Sequence, residues 1–474
     1  MSNSRRNFIK RAAQIAAGAH LHHILPAAAG LSAMTSQAFA QAMKQETDFN
    51  FVLFRVIGGM DSTLGIHPWI EDSSRLSEDD LWLNYDPRVE VQKNILGTQI
   101  SLGPSAAGLA PFAKKMAVVR GIYMGASDLG HPAAIQHISS GRTQESAPHW
   151  SAYIGQKYTT PGHFVVTNTA IQRGVVNSFP IILTQALKAM GDVAEFSTSS
   201  SLDLYQDQGL QVNRYLDLLK QKAKLLRFAE VMKSQTQGSG EPQDETIALA
   251  SLAAGLSRVA QIDLIDQAKD LDTHGGHVMH REYQKLRWDR IAAFLKGLVD
   301  TNLMEKTLVV VVSEFNRSPG KNANEGKDHN YSDNAVALFG RGLNGGSLIG
   351  DRQLYVKSDK LPLSVWAGSF IDYKTGRVSE VNALRAMQNS KTVTLPKDVN
   401  LIRPADLWAT VARSFGNDLN KIMPPDSHTI PGLFSFAPGE TTRAAATAVV
   451  EELKSPAKPR PKAISRPAPK RGKP

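Results

Sequence analysis

Carboxylates and imidazoles gather at five places in this chain, and four of them sit beside apolar runs. Asp61 follows the first run, in Gly58-Gly59-Met60-Asp61-Ser62. The second run leads into Met124-Gly125-Ala126-Ser127-Asp128-Leu129-Gly130-His131. A valine-rich run closes in Ser313-Glu314-Phe315-Asn316-Arg317, and Asp328-His329-Asn330 comes a loop later, just before a fourth run. The fifth cluster, Asp270-Leu271-Asp272-Thr273-His274-Gly275-Gly276-His277, packs two carboxylates and two imidazoles into eight residues. Buried together without a cation, such carboxylates would repel one another and shift their proton affinities sharply. A divalent metal removes that penalty. Mixed Asp, Glu and His ligands suit Zn or Mn, and an oxygen-dominated set suits Ca. A metal held there would polarise an ester oxygen or lower the pKa of a bound water or hydroxyl. The candidate ligands are Asp61, Asp272, His274, His277, Glu314, Asp328 and His329, with Asp270 an alternative to Asp272. Each residue also has a plainer reading. Asp61 after two glycines fits a turn or a helix cap. Glu314 could simply pair with Arg317, and Ser127 fits a helix cap. His131, His137, His149 and His163 read as surface or satisfied core histidines.

The elements that must position these groups are legible as apolar runs ending in glycine or polar clusters. Residues 50–57, 116–122, 307–312 and 334–340 each read as a strand buried on both faces. Helical spacing lies between them, for example from Trp288 to Leu303. The expected fold class is α/β, a mainly parallel sheet with helices on both faces. Ligands in such sheets sit beyond the carboxyl ends of the strands, where the polar clusters fall. Residues 184–271 read differently, as a polar helical insertion with a flexible loop over residues 234–245. Residues 400–436 read as a terminal helix and a short docking segment.

Together these residues resemble a bacterial family of unknown function numbered 1501, a branch of the alkaline phosphatase and sulfatase superfamily often exported by the twin-arginine route. The resembling parts are Gly58-Gly59-Met60-Asp61, Asp272-Thr273-His274, Ser313-Glu314-Phe315-Asn316-Arg317 and Asp328-His329-Asn330, spread over about residues 50–440. The resemblance implies an alkaline phosphatase-like domain over residues 41–440. It also implies that Asp61 ligates metal after the first strand, and that Asp272, His274 and His329 belong to one metal site. Met124 to His131 looks like the nucleophile turn of cofactor-independent phosphoglycerate mutase, which puts Ser127 in the attacking position. A metal and a helix N-terminus would both activate that serine. The chain departs from the superfamily at Glu314-Phe315, where Asp-His is usual. The implied second site therefore loses its imidazole and keeps Asp61, Glu314 and Ser127.

Two readings of function follow. The first is a metal-dependent hydrolase or transferase acting on phosphate or sulfate esters, with Ser127 attacking and Arg142 or Arg317 holding the anionic group. The second, motivated by Phe315, is a non-catalytic exported scaffold that binds a metal, an envelope ligand or a co-exported partner. Export is read from the N-terminus. Arg5-Arg6 precede an alanine-rich stretch too polar to span a membrane, and Ala38-Phe39-Ala40 supplies a cleavage site. Residues 1–40 thus read as a twin-arginine signal peptide recognised by that translocase, and the mature chain as periplasmic or secreted. The chain has no cysteine, so thiolate metal sites and disulfides are excluded. The net charge of +10 resides in the ends, +4 in residues 1–40 and +7 in residues 441–474, leaving the body near −1. A nucleic-acid footprint is therefore not indicated. Residues 441–474, rich in Pro, Lys and Arg, read as a disordered tail, either simply solvated or a tether to an anionic envelope surface.

Overall fold

The computed structural model describes residues 49–435 apart from 72, 126–128, 145–146, 159–163, 168–177, 181–223, 225, 236–242, 360, 362, 380–397 and 416–425. The expected signal peptide, Ser127, His163 and the basic tail lie outside the described residues.

Ten strands matter for the site. They are β1 Asn50–Val56, β2 Met116–Val119, β3 Phe164–Thr167, β4 Ser178–Pro180, β5 Ser257–Leu264, β6 Thr307–Ser313, β7 Asn316–Arg317, β8 His329–Asn330, β9 Val336–Gly340 and β10 Ser347–Ile349. Eight of them form one sheet in the order β10-β2-β9-β6-β1-β5-β3-β4. β1 lies between β5 and β6 and is parallel to both. β9 alone is reversed, antiparallel to β2 and to β6. The sheet is therefore mixed but mainly parallel, with β1, β2, β5 and β6 running one way.

Every residue of β1 and β6 is buried, which is why both read as continuous apolar runs rather than alternating ones. Successive side chains go to opposite faces. Val52, Phe54 and Val56 join one core, with α3 (Asp244–Ala253) and α4 (His280–Asp300) packed over it. Phe51 and Leu53 join the other, under α1 (Gly130–Ser140), α2 (Trp150–Tyr158) and α5 (Pro404–Ser414). Helices thus cover both faces. Among the described residues, no helix is long and apolar enough to cross a membrane.

One expectation needs correction. Residues 184–271 were to be a helical insertion, yet they contain β5, which pairs directly with β1 in the middle of the sheet. The strand is disguised by its polar residues, Arg258, Gln261 and Asp263. Gln261 accepts from Ser151 and pairs with His149 at 3.2 Å. Asp263 forms a two-pronged ion pair with Arg55 of β1, both side chains being buried. Buried polar side chains are tolerated where they are paired, and here the pairing hides a core strand inside a polar sequence.

Candidate metal centre

The carboxyl ends of β1, β2, β5 and β6 all open on one edge of the sheet, and the segments leaving them carry the polar clusters. β1 turns through Gly58 (φ 104°) and Gly59 (φ 81°), backbone that only glycine adopts readily. A methyl group on Gly59 would come within 2.3 Å of the Phe315 ring. The tight turn lets Phe315, fully buried just past β6, reach under the site.

Four side chains converge above that ring: His131, Asp272, His274 and His329, with ligand atoms all within 4.8 Å of one another. His131 is the second residue of α1, reached from β2. Asp272 and His274 come from the segment after β5, and His329 opens β8, the short ribbon strand paired with β7. The Nε2 atoms of His274 and His329 are 2.8 Å apart, and those of His329 and His131 are 3.1 Å apart. Asp272 stands 3.4 Å from His131 Nε2 and 3.3 Å from His274 Nε2. Tetrahedral nitrogen ligands at zinc distances are about 3.3 Å apart, so the spacing is that of ligands around one small cation.

The far nitrogen of each ring is occupied. His131 Nδ1 meets Glu314 Oε1 at 2.7 Å, His274 Nδ1 meets Asp328 Oδ1 at 3.1 Å, and His329 Nδ1 meets Tyr331 Oη at 2.9 Å. Partners at Nδ1 that accept its hydrogen leave the Nε2 lone pairs turned inward, the arrangement in which imidazole ligates metal. Three lone pairs facing one another without a cation would be repulsive. The donor set therefore fits a resident divalent ion. The side chains of His131, Asp272 and His274 are 30–40% exposed, so the centre is open to solvent on one side.

The Glu314 carboxylate, accepting from His131 Nδ1, raises the His131 pKa against the effect of burial. Burial would raise Asp272, but the hydrogen bond and charge of Arg317 bring it below the usual carboxylate range.

Of the residues expected to ligate metal, Asp272, His274 and His329 are brought together. Glu314 and Asp328 instead brace His131 and His274. Asp61 and His277 are not part of this group. They lie fully buried in a separate network, where Lys327 Nζ donates to Asp61 Oδ2 at 2.7 Å and His277 Nε2 lies 3.2 Å from the same oxygen. Burial would raise Asp61, yet the Lys327 ammonium and the hydrogen bond with His277 hold it well below its ordinary value. Burial pushes His277 down to about 4, keeping it neutral.

The two arginines expected to hold an anion are placed otherwise. Arg317 is wholly buried, and its guanidinium donates to the carbonyl oxygens of Gly58, Gly59, Leu271 and Lys327 and to Asp272 Oδ1. It ties three loops together and holds a ligand, with nothing left to clamp a substrate. Arg142 lies beyond the far end of α1 from His131, about 16 Å along the helix. It lines a cavity with His137, Gln144 and Arg403, to which none of the four converging residues contributes.

His131 and Tyr331 were not among the expected site residues. Position was the signal for His131, since it ends the polar cluster that follows a buried parallel strand. Its partner Glu314 is 183 residues away, so the pairing itself is invisible in the sequence.

No curated protein matches the sequence. Among solved structures, the chain is similar to a lipoteichoic acid synthase, LtaP, from Listeria monocytogenes, at 10% identity and a TM-score of 0.30, covering 64% of this chain and 68% of that one. It is also similar to the alkaline phosphatase of Thermus thermophilus, at 13% identity and a TM-score of 0.25, covering 61% and 65%. The TAB5 alkaline phosphatase carrying a His-to-Glu change, solved with Mg bound, matches at 13% identity and a TM-score of 0.26, over 63% and 93%. Residues 164–359 of the described fold run from β3 through the whole metal centre except His131, and residues 165–359 match the family model described as a protein of unknown function, DUF1501.

Proposed function

We propose that this chain is an exported, metal-dependent hydrolase or transferase of phosphate or sulfate esters. One observation carries the reading: three imidazole Nε2 atoms and a carboxylate converge on one point, each imidazole held from behind, on the solvent-open edge of a mainly parallel sheet. His131, Asp272, His274 and His329 would hold Zn or Mn, which supplies Lewis-acid stabilisation of charge on an ester oxygen. Glu314, Asp328 and Tyr331 fix the ring orientations. Arg317 fixes Asp272. Ser127, four positions before His131 in the sequence, is the proposed attacking hydroxyl.

The test is a panel of model phosphate and sulfate esters on the chain without residues 1–40. Hydrolysis should vanish with a chelator and return with Zn or Mn. His274→Ala/His329→Ala should lose the metal and the activity. Ser127→Ala should lose turnover while keeping the metal. A protein that binds one ion yet turns over no ester would favour the scaffold reading. A protein that stays metal-free after reconstitution would overturn both the centre and the hydrolase.

A further inference from the structure

Two of the segments that carry ligands turn alternately toward the open centre and toward the core. Asp272 and His274 are partly exposed, and Thr273 between them is buried. Asp328 and His329 are partly exposed, and Lys327 just before them is fully buried. Both inward side chains lead to one group, the Asp61 carboxylate. We propose that Asp61 is the shared anchor of the two segments, with Lys327 and Thr273 as positioning residues that set the separation of Asp272, His274 and His329. The inference rests on the reading of those three residues as metal ligands.

Asp61 is itself a fixed point. Its backbone N–H donates to Gln284 Oε1 at 2.8 Å and its carbonyl accepts from Gln284 Nε2 at 3.0 Å, which ties the end of β1 to α4. Its Oδ1 accepts from the backbone N–H and hydroxyl of Thr63. Two arms leave Oδ2. In one, Lys327 Nζ donates to it at 2.7 Å. In the other, His277 Nε2–H donates to it at 3.2 Å, and His277 Nδ1 accepts from the Thr273 hydroxyl at 2.8 Å. His280 closes the group, its Nδ1 3.0 Å from Thr273 Oγ1 and its Nε2 3.0 Å from Gln284 Oε1 and 3.3 Å from the Asp61 nitrogen. The arms also meet directly, since the Lys327 N–H donates to the Thr273 carbonyl at 3.2 Å. Gly326 allows that approach, because a methyl group there would come within 2.1 Å of the His274 carbonyl oxygen. On the side of the centre, Arg317 joins the same two segments through the Lys327 carbonyl and Asp272 Oδ1, each at 3.0 Å. A buried ammonium that left Asp61 would be stranded without a partner, so the segment before His329 cannot drift. Ligands need such support, because a working site tolerates displacements of only about 0.5 Å.

The test reads metal and needs no turnover. Zn affinity is measured by competition with a chromophoric chelator, and the visible spectrum of bound Co(II) reports ligand geometry. Thr273→Val keeps the size of the side chain and removes the hydroxyl, whereas Thr273→Ser keeps the hydroxyl. Lys327→Met/Asp61→Asn removes both charges together, so that neither is left alone in the core. Zn affinity should fall about 10–100-fold in Thr273→Val and in the double variant, with an altered Co(II) spectrum. Thr273→Ser should stay close to the wild type in both. A network that only stabilises the fold would lower the denaturation midpoint and leave affinity and spectrum unchanged. That result in a folded Thr273→Val or a folded double variant overturns the proposal, and if the double variant does not fold, Thr273→Val decides alone. A wild type that binds neither Zn nor Co(II) would overturn the metal centre and this proposal with it.

Discussion

At the scale of the residue, the centre divides into groups that face the ion and groups that hold them. Removing a brace should weaken binding without removing a ligand. Glu314→Gln and Asp328→Asn each keep the size of the side chain but lose the charge-assisted hydrogen bond to His131 or His274. Both should lower Zn affinity by about 10–100-fold, measured by competition with a chromophoric chelator, while the far-ultraviolet spectrum stays native. Gly59 is a different kind of support. Its positive φ and the 2.3 Å approach of an added methyl to Phe315 make Gly59→Ala an overpacked and strained variant. A loss of about 1–3 kcal/mol in chemical denaturation is expected, with Zn affinity falling too, since the Phe315 ring packs against that of His329 with centroids 4.0 Å apart.

At the scale of the element, the centre of the sheet depends on polar pairs that strands rarely bury. Arg55 of β1 and Asp263 of β5 neutralise each other with little access to water. Asp263→Ala would strand a buried guanidinium and should destabilise the protein by about 3–5 kcal/mol, whereas replacing both partners with apolar residues should cost much less. His149, just before α2, meets Arg55, Gln136 and Gln261. Burial first, and the Arg55 charge second, push it down to about 3. Its folded pKa is thus below the unfolded value of about 6.5. The unfolded chain takes the proton first, so stability is whole above about pH 6.5 and is lost as pH falls toward 3. The slope contributed is up to about 1.4 kcal/mol per pH unit. Denaturation at several pH values should show His149→Gln with a shallower acid slope than the wild type.

At the scale of the whole molecule, the metal should act as a stabiliser, because three segments of distant sequence meet on it. An ion bound only by the folded state adds about 2.7 kcal/mol at a hundred times its Kd. Thermal unfolding of the chain lacking residues 1–40 should therefore move to higher temperature with Zn and return with a chelator. His274→Ala/His329→Ala should show no such shift. The proposed export is tested separately: mature protein should begin at Gln41, and Arg5→Lys/Arg6→Lys should keep it in the cytoplasm, as read by N-terminal sequencing of fractionated cells.

The sequence by itself determined the α/β class, because β1 and β6 bury both faces and so must be written as unbroken apolar runs. It determined where chemistry would gather, since polar groups at the ends of buried parallel strands have one shared edge to occupy. It also marked Asp272, His274 and His329, whose types and close spacing suit a cation. What it did not carry was pairing over distance. β5 stayed hidden because its polar side chains are satisfied by Arg55, His149 and Ser151, which only the folded sheet brings to it. Asp61 read as a ligand because a carboxylate in a glycine turn looks the same whether a metal or Lys327 neutralises it, and those residues are 266 positions apart. Arg317 read as an anion clamp until four carbonyl oxygens and Asp272 took up its guanidinium. His131 read as incidental until Glu314 turned its ring toward the other two. Composition and period specify which groups are buried and along which edge. Only the tertiary structure decides which of them meet, because electrostatic partnership depends on separations of about 3 Å that no local pattern encodes.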